Sequence, residues 1–251
     1  MEQTHYLKNV LLDRKAVPSF DEYPFAIPAI RHLHTLALHP NVTFLIGENG
    51  MGKSTLMEAI AVNAGLNPEG GSRNFNFTTR SSHSVLHDHI RLDRGSGWPR
   101  PKDWYYLRAE SFFNVATEIE NLDSIPSGSP KIGSSYGSRS LHEQSHGESF
   151  LALMMNRFHG DGVYLLDEPE AALSPFKQMS VLSIIHKLVR KNSQFIIATH
   201  SPIIMSYPDS LIYELSENGI TETNYQETEH FSITRDFLNN PDRMLNVLLS
   251  E

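Results

Sequence analysis

A glycine-rich segment between two different residue patterns limits the fold of this chain more than any other feature. The apolar run 42–46 is typical of a buried strand, and apolar residues recur at helical spacing over 53–64. The segment that joins them reads Gly47, Glu48, Asn49, Gly50, Met51, Gly52, Lys53, Ser54 and Thr55. Strand, loop, Lys-Ser and helix together form a complete phosphate-binding loop. The pattern predicts an α/β fold with a mostly parallel central sheet.

The chemistry of this loop predicts a site for the phosphates of a nucleoside triphosphate. A turn from a strand into a helix points successive backbone N–H groups at an anion, and the helix N-terminus adds about half a positive charge. Lys53 is expected to reach the β- and γ-phosphates, Ser54 to bind Mg²⁺, and Thr55 to hold the α-phosphate side. A glycine-rich turn arising by chance is disfavoured, because all four elements occur in register.

A pair of acidic residues follows a second buried strand. Residues 163–166 form a continuous apolar run, as expected of a central parallel strand, and Asp167 and Glu168 come directly after it. They therefore fall at the edge where open α/β sheets bind ligands. Asp167 fits a carboxylate that holds Mg²⁺, and Glu168 fits the general base that orients and deprotonates an attacking water. The alternative is a solvated acidic turn, which would be common without the preceding loop.

A histidine ends a third apolar run. Residues 195–198 are apolar and β-branched, and Thr199 and His200 follow them. A histidine at the carboxyl end of a parallel strand can donate a hydrogen bond to a γ-phosphate and to the water beside it. An ordinary turn histidine is the alternative. The position of His200 after Asp167 favours the catalytic interpretation.

These elements, with a fourth between them, resemble the ATP-binding cassette ATPases. The fourth element, residues 145–149, reads Ser-His-Gly-Glu-Ser and is similar to the family's signature loop, usually Leu-Ser-Gly-Gly-Gln. The resemblance implies ATP and Mg²⁺ as ligands, with Ser145, Gly147 and Glu148 contacting the γ-phosphate held by a second subunit. Glu148 stands where transporters generally carry Gln and is similar to the chromosome-maintenance and double-strand-break-repair ATPases. Glu110 occupies the position of the family's Q-loop Gln, which makes it a candidate metal ligand.

A closer resemblance is to a group of short, stand-alone predicted ATPases of bacteria and their mobile elements. The segments that carry it are 42–61, 67–71, 107–114, 140–149, 165–175 and 194–202. The resemblance implies an ATP-hydrolysing homodimer, joined head to tail by two ATP molecules, without naming what it acts on. We expect a role in DNA or RNA maintenance or in defence.

Two other functions remain open at this point. The ATPase subunit of a membrane transporter would need a membrane partner, and Glu148 counts against it. A P-loop kinase or small-molecule transferase is disfavoured because it would not require His200 together with the signature loop. A coiled-coil chromosome ATPase is excluded, since the interval from Thr55 to Ser145 leaves no room for long heptad arms.

Length and composition indicate one α/β domain over residues 1–251, with residues 67–145 as an inserted subdomain of helices and loops and with antiparallel N-terminal strands. There is no cysteine, and no apolar run approaches the ~20 residues of a membrane helix. The first residues lack the pattern of an export signal. We therefore expect a cytoplasmic protein that does not insert into membranes.

The net charge of −8 is unevenly distributed. Between Arg73 and Arg108 there are seven Lys or Arg residues and three Asp residues. This segment is a candidate surface for nucleic acid or for a protein partner, and a solvated insertion is the alternative. The adenine ring is expected to pack on an aromatic side chain near the first strands. The candidates are Tyr6, Tyr23 and Phe25.

Overall fold

Two β-sheets organise the part of the chain that the computed structural model describes, which is residues 5–73, 84–94, 100–124, 133 and 146–250. The strands within these residues are β1 Asn9–Leu12, β2 Thr35–Ala37, β3 Val42–Ile46, β4 Ile90–Asp93, β5 Asp103–Arg108, β6 Gly162–Asp167, β7 Gln194–Ala198, β8 Ser210–Ser216 and β9 Gly219–Thr223. The α-helices are α1 Pro28–Arg31, α2 Lys53–Asn63, α3 Leu86–His89, α4 Phe112–Ser124, α5 His146–Arg157, α6 Pro175–Val189, α7 Glu229–Asn239 and α8 Pro241–Leu249. Short 3-10 helices cover Pro169–Ala172, Ile204–Ser206 and Tyr225–Glu227.

The larger sheet has six strands in the order β5-β6-β7-β3-β8-β9. Its first five strands are parallel, and β9 returns antiparallel to β8 as a hairpin. Every residue of β3, β6 and β7 is buried, as the continuous apolar runs predict for central parallel strands. The predicted α/β fold with a mostly parallel sheet is confirmed. Since β6, β7 and β3 are neighbours, their carboxyl ends meet at one edge.

The smaller sheet is antiparallel, with the order β2-β1-β4. It contains the N-terminal strands, whose antiparallel pairing the sequence analysis predicted. Its third strand, β4, and the edge strand β5 of the larger sheet both fall within residues 67–145. Each of these strands is hydrogen-bonded into one of the two sheets. A boundary at residue 67 therefore does not separate them from the rest of the fold.

Hydrophobic clusters cover both faces of the larger sheet. Along β3, Phe44 lies in one cluster and Leu45 in the other, because successive strand side chains point to opposite faces. The cluster of Phe44 includes the buried side chains of α4, α5 and α6. The cluster of Leu45 includes those of α2 and of the smaller sheet. Helices α2 and α5 therefore lie against opposite faces of the larger sheet.

The chain after the hairpin forms two helices, where the sequence predicted one helical tail over 231–249. Pro241 separates them, since it has no N–H to continue the hydrogen bonding of α7 and fits the first turn of α8. Asn240 caps α8 by accepting the N–H of Arg243 at 3.3 Å. Among the described residues, no helix combines the length and the apolar character needed to cross a membrane.

Candidate active site

The glycine-rich loop takes its shape from backbone angles that favour glycine. Gly47 has φ 130°, and a Cβ there would overlap the carbonyl oxygen of Leu215. Gly52 has φ 94° and immediately precedes α2, and a Cβ there would lie 2.8 Å from Cγ2 of Ile27. Both positions need left-handed angles and close packing at once, so a side chain is excluded. As a result α2 begins at Lys53, directly after the loop.

Lys53 is held inside the curve of this loop. Its side chain is buried, and its Nζ donates to the carbonyl oxygens of Gly47 at 2.7 Å and of Glu48 at 2.9 Å. Burial lowers the pKa of Lys53, and the carboxylates at 167, 168 and 170 act in the opposite direction. The cation is therefore fixed beside the start of α2, where the helix dipole also favours an anion. Glu48, Asn49 and Gly50 are exposed at the tip of the loop.

The helix that follows the loop is joined to the end of β6 by a hydrogen bond. Ser54 Oγ donates to Asp167 Oδ1 at 3.1 Å, and the Asp167 side chain is buried. Burial raises the pKa of Asp167 to about 6, although Arg108 and Ser54 act to lower it. A hydroxyl and a carboxylate side by side are the hard oxygen donors that Mg²⁺ prefers. The two predicted metal ligands are thus brought together.

Two residues of β5 enclose the other carboxylate oxygen. The fully buried Tyr106 donates its hydroxyl to Asp167 Oδ2 at 3.3 Å, and Arg108 Nε lies 3.7 Å from the same oxygen. Arg108 also pairs with Glu58 at 3.4 Å. Sequence reasoning did not single out Tyr106 and counted Arg108 in the basic segment. The available signal was the strand pattern 103–108, whose last residue is in register with Asp167.

Glu168 has an unusual backbone conformation. Its φ of 53° and ψ of 52° are left-handed, and its N–H donates to the carbonyl oxygen of Ala198 at 2.9 Å. This conformation costs roughly 1–2 kcal/mol for a residue with a Cβ, and such residues cluster at active sites. The side chain is 41% exposed, and Oε1 lies 3.9 Å from Nε2 of His200. Glu168 is therefore accessible to a solvent molecule at the same sheet edge.

The segment after β7 is fixed by a carboxylate that the sequence analysis did not assign. Glu170 accepts the hydroxyl of Thr199 at 2.8 Å and the N–H of His200 at 2.5 Å. Burial raises the pKa of Glu170, and these two hydrogen bonds act against that shift. The His200 ring is held so that Nε2 faces Glu168, and burial lowers its pKa. The predicted trio of Lys53, Glu168 and His200 is brought to one edge.

Other predicted residues lie away from this group. Glu110 is 80% exposed and pairs with Arg108 at 2.9 Å, so it approaches Asp167 only through that arginine. Gly147 is buried and Glu148 is exposed, both in the first turn of α5. Ser145 lies outside the described residues. Helix α5 packs on α6 and on the 3-10 helix 169–172.

Two of the three aromatic candidates for adenine are wrong. Tyr6 and Phe25 are 3% and 2% exposed and belong to the cluster under the smaller sheet, so their faces are covered. Both side chains fill the core between the strands and α2. Tyr23 is 68% exposed and remains a candidate.

The basic segment 73–108 is divided by the fold. Arg73 donates to the carbonyl oxygen of Ala64 and lies over the Trp104 ring, and Lys102 pairs with Asp161 at 2.7 Å. Arg108 belongs to the active site, as described above. Arg91, Arg94 and Arg100 are exposed, and Arg80 lies outside the described residues. The charged patch is therefore smaller than the sequence suggested.

Three comparisons with known proteins bear on this arrangement. Residues 134–206 match the family model described as "AAA domain, putative AbiEii toxin, Type IV TA system". The chain is 26% identical, over 204 residues, to the energy-coupling factor transporter ATP-binding protein EcfA2 of Staphylococcus epidermidis, covering 75% of this chain and 70% of that protein. It is 25% identical, over 212 residues, to EcfA2 of Methanospirillum hungatei, covering 78% of this chain and 51% of that protein.

Solved structures with a similar outline come from two kinds of protein. The structure of cbiO1 from Clostridium perfringens, part of the ABC transporter complex cbiONQ, has a TM-score of 0.49 at 17% identity and covers 98% of this chain and 99% of that one. The SMC head domain from Thermotoga maritima has a TM-score of 0.44 at 16% identity and covers 87% of this chain and 99% of that one.

Proposed function

We propose that this chain, which is an ATPase of the ATP-binding cassette type, hydrolyses MgATP as a head-to-tail homodimer. Each ATP would lie between the loop 47–55 of one subunit and the N-terminal turn of α5 of the other. The observation that carries the proposal is the convergence of Lys53, Asp167, Glu168 and His200 at one sheet edge, with Ser54 bonded to Asp167 at 3.1 Å.

The phosphate-binding part of the proposal rests on the loop and the start of α2. The N–H groups of the loop and the Lys53 ammonium supply positive charge to the phosphate chain. Ser54 and Asp167 would hold Mg²⁺, which when bound neutralises phosphate charge. Asp167 is kept in place by Tyr106 and Arg108, so the ligand pair is rigid before the metal binds.

The hydrolytic part rests on Glu168 and His200. Glu168 is exposed enough to meet water and is placed by the backbone bond to Ala198, so it would orient the attacking water and accept its proton. His200 would donate from Nε2 to the γ-phosphate or to that water. Glu170 holds the His200 backbone and thereby its approach to the nucleotide.

The dimer is supported by the positions of two helices. The loop 47–55 leads into α2 on one face of the central sheet, whereas α5 packs on the opposite face. The first-turn N–H groups of a helix have no partners within the helix and can bind an anion. Because Gly147 and Glu148 are in that first turn of α5, we propose that they serve the nucleotide of the second subunit.

Two processes could use the hydrolysis. A role in nucleic-acid maintenance or defence is supported by Glu148, by the description of the matched family model, and by a basic cavity of about 490 Å³. The cavity is lined by Leu11, Leu12, Asp13, Arg14, Lys15, His34 and Arg91. The alternative, an ATPase subunit of a membrane transporter, is supported by the names of the EcfA2 relatives.

Glu168→Gln tests the catalytic and dimer proposals together. The variant should bind MgATP but lose about 10²- to 10⁴-fold in turnover, because a neutral amide cannot act as the base. Since uncleaved ATP would bridge two subunits, sedimentation should show a nucleotide-dependent shift to dimer. Lys53→Ala should instead lose nucleotide binding, and Glu217→Gln, at an exposed turn, should match the wild type. Normal turnover of Glu168→Gln would refute the base, and a dimer independent of ATP would refute the bridged interface.

A further inference from the structure

A second histidine contacts His200 from the C-terminal part of the chain. Nδ1 of His200 lies 3.2 Å from Nε2 of His230, and the two ring centroids are 5.3 Å apart. His230 is the second residue of α7. A hydrogen bond between two imidazole nitrogens needs one proton between them, so one ring donates and the other accepts. Which ring donates decides where His200 carries its own proton.

The start of α7 is fixed against the segment that follows His200. Thr228 is fully buried, accepts the N–H of Phe231 at 3.3 Å as the N-cap, and donates its hydroxyl to the carbonyl oxygen of Tyr225 at 2.8 Å. The Tyr225 hydroxyl in turn donates to the carbonyl oxygen of Pro202 at 2.9 Å. The contact between the two histidines is therefore set by the packing of two backbone segments, and does not depend on flexible side chains alone.

The remaining nitrogen of His200 faces the catalytic carboxylate. Nε2 is buried, lies 3.9 Å from Oε1 of Glu168, and has no hydrogen-bond partner within the described part of the chain. The charged groups around the pair are Lys53 and Glu168 beside His200, and Lys53, Glu214 and Glu229 beside His230. Burial lowers the pKa of both imidazoles, which favours two neutral rings at pH 7.

Two neutral rings allow two proton arrangements. If His200 donates from Nδ1, its Nε2 carries a lone pair directed at Glu168 and at the phosphate oxygens expected there. If His230 donates from Nε2, then His200 accepts at Nδ1 and carries its proton on Nε2. The second arrangement places a positive N–H dipole toward negative oxygens, whereas the first places two acceptors face to face.

We propose that His230 is a positioning residue, which donates from Nε2 to Nδ1 of His200 and so holds the His200 proton on Nε2, facing the nucleotide. The proposal rests on the role proposed above for His200. It also gives α7 a function in catalysis. Without His230 the imidazole of His200 would lose both its orientation and the bias toward the tautomer that can donate to a phosphate.

Nitrogen NMR on the full chain with ¹⁵N-labelled histidine reads the tautomer directly. Long-range ¹H–¹⁵N spectra of the wild type should show His200 with a protonated Nε2, the signal being assigned by its loss in His200→Gln. In His230→Leu the His200 signals should move toward a mixture of the two tautomers. A wild-type His200 protonated on Nδ1 would overturn the proposal, whatever the enzymatic activity.

Steady-state kinetics provide the second readout. His230→Leu should lower kcat for ATP by about 10- to 100-fold, the range typical of lost outer hydrogen bonds, with KM changed by less than about twofold. His230→Gln keeps an N–H donor near the position of Nε2 and should recover most of the rate. The matched control is His186→Leu on α6, whose ring contacts Tyr207 instead of the active site, and it should behave as the wild type.

The outcomes separate this proposal from the proposed function. If His200→Ala hydrolyses ATP at the normal rate, the role of His200 fails and the proposed function must be revised. If His200→Ala is defective but a folded His230→Leu is normal, only the positioning proposal fails. It also fails if His230→Gln is as slow as His230→Leu while circular dichroism and Tm match the wild type.

Discussion

Ser54 Oγ donates a 3.1 Å hydrogen bond to Oδ1 of Asp167, and this bond connects the start of α2 to the end of β6. The two residues are 113 positions apart in sequence, and they meet because β3 and β6 are both parallel to β7. The other carboxylate oxygen of Asp167 is covered by Tyr106 and Arg108. A buried carboxylate with four polar neighbours at most is expensive to ionise unless a cation completes its surroundings.

This environment predicts how stability depends on pH in the absence of Mg²⁺. Burial raises the pKa of Asp167 to about 6, above its ordinary value. The folded protein therefore binds this proton more tightly than the unfolded chain, and stability should fall as pH rises from about 4 to about 6. Asp167→Asn removes the titration, so the difference in the free energy of unfolding between wild type and variant should change by about 3 kcal/mol at most across that window.

Urea unfolding at fixed pH values between 4 and 7 measures this difference. The subtraction of the Asn variant cancels the other titrating groups, including Glu170, whose pKa burial also raises. Asp13→Asn is a suitable control because Asp13 is exposed near the surface, and it should give a flat difference. A difference that is flat for Asp167→Asn, or that rises with pH, would show that the carboxylate is stabilised in its ionised form.

The basic cavity predicts salt-sensitive binding of nucleic acid. Lys15 and Arg91 are both exposed and line the same cavity. If they bind phosphates, affinity for duplex DNA should fall with salt with a log–log slope near −0.9 per phosphate neutralised. The pair Lys15→Glu and Arg91→Glu should weaken binding and flatten this slope in fluorescence anisotropy titrations.

The control for this experiment reverses two arginines elsewhere. Arg235→Glu and Arg243→Glu change the total charge equally but lie on α7 and α8, so they should keep the wild-type slope. Equal losses in both double variants would mean that only the total charge matters. No binding to DNA or RNA at low salt, with or without ATP, would remove the nucleic-acid role and favour a protein partner, including a membrane transporter.

The sequence predicted the sheet edge well because local patterns determine it. The apolar runs that become β3, β6 and β7 are each followed directly by a polar functional residue, and parallel strands bring such residues to one edge. Antiparallel pairing of β1 with β4 could not be predicted in the same way, since the two strands are far apart in sequence and β4 has only four residues.

The supporting residues of the site were missed for a related reason. Tyr106, Glu170 and His230 act through contacts with distant segments, and nothing in their immediate sequence marks them. Arg108 was misread as surface charge because its partners, Glu58 and Asp167, come from other elements. The aromatic candidates Tyr6 and Phe25 failed because apolar rings near the first strands pack into the core as readily as onto a ligand.

The most direct test of the shared site is complementation between two inactive variants. Lys53→Ala lacks the phosphate lysine but keeps an intact signature loop, whereas Ser145→Arg keeps the lysine and blocks its own signature loop. Each alone should be inactive, because every site in its homodimer has one defective half. Mixed in equal amounts, they should recover roughly a quarter of the wild-type ATPase rate, since half of the dimers are mixed and each of these has one complete site. A mixture as inactive as its components would contradict the proposed site between two subunits, and so would Ser145→Arg hydrolysing ATP alone at the wild-type rate.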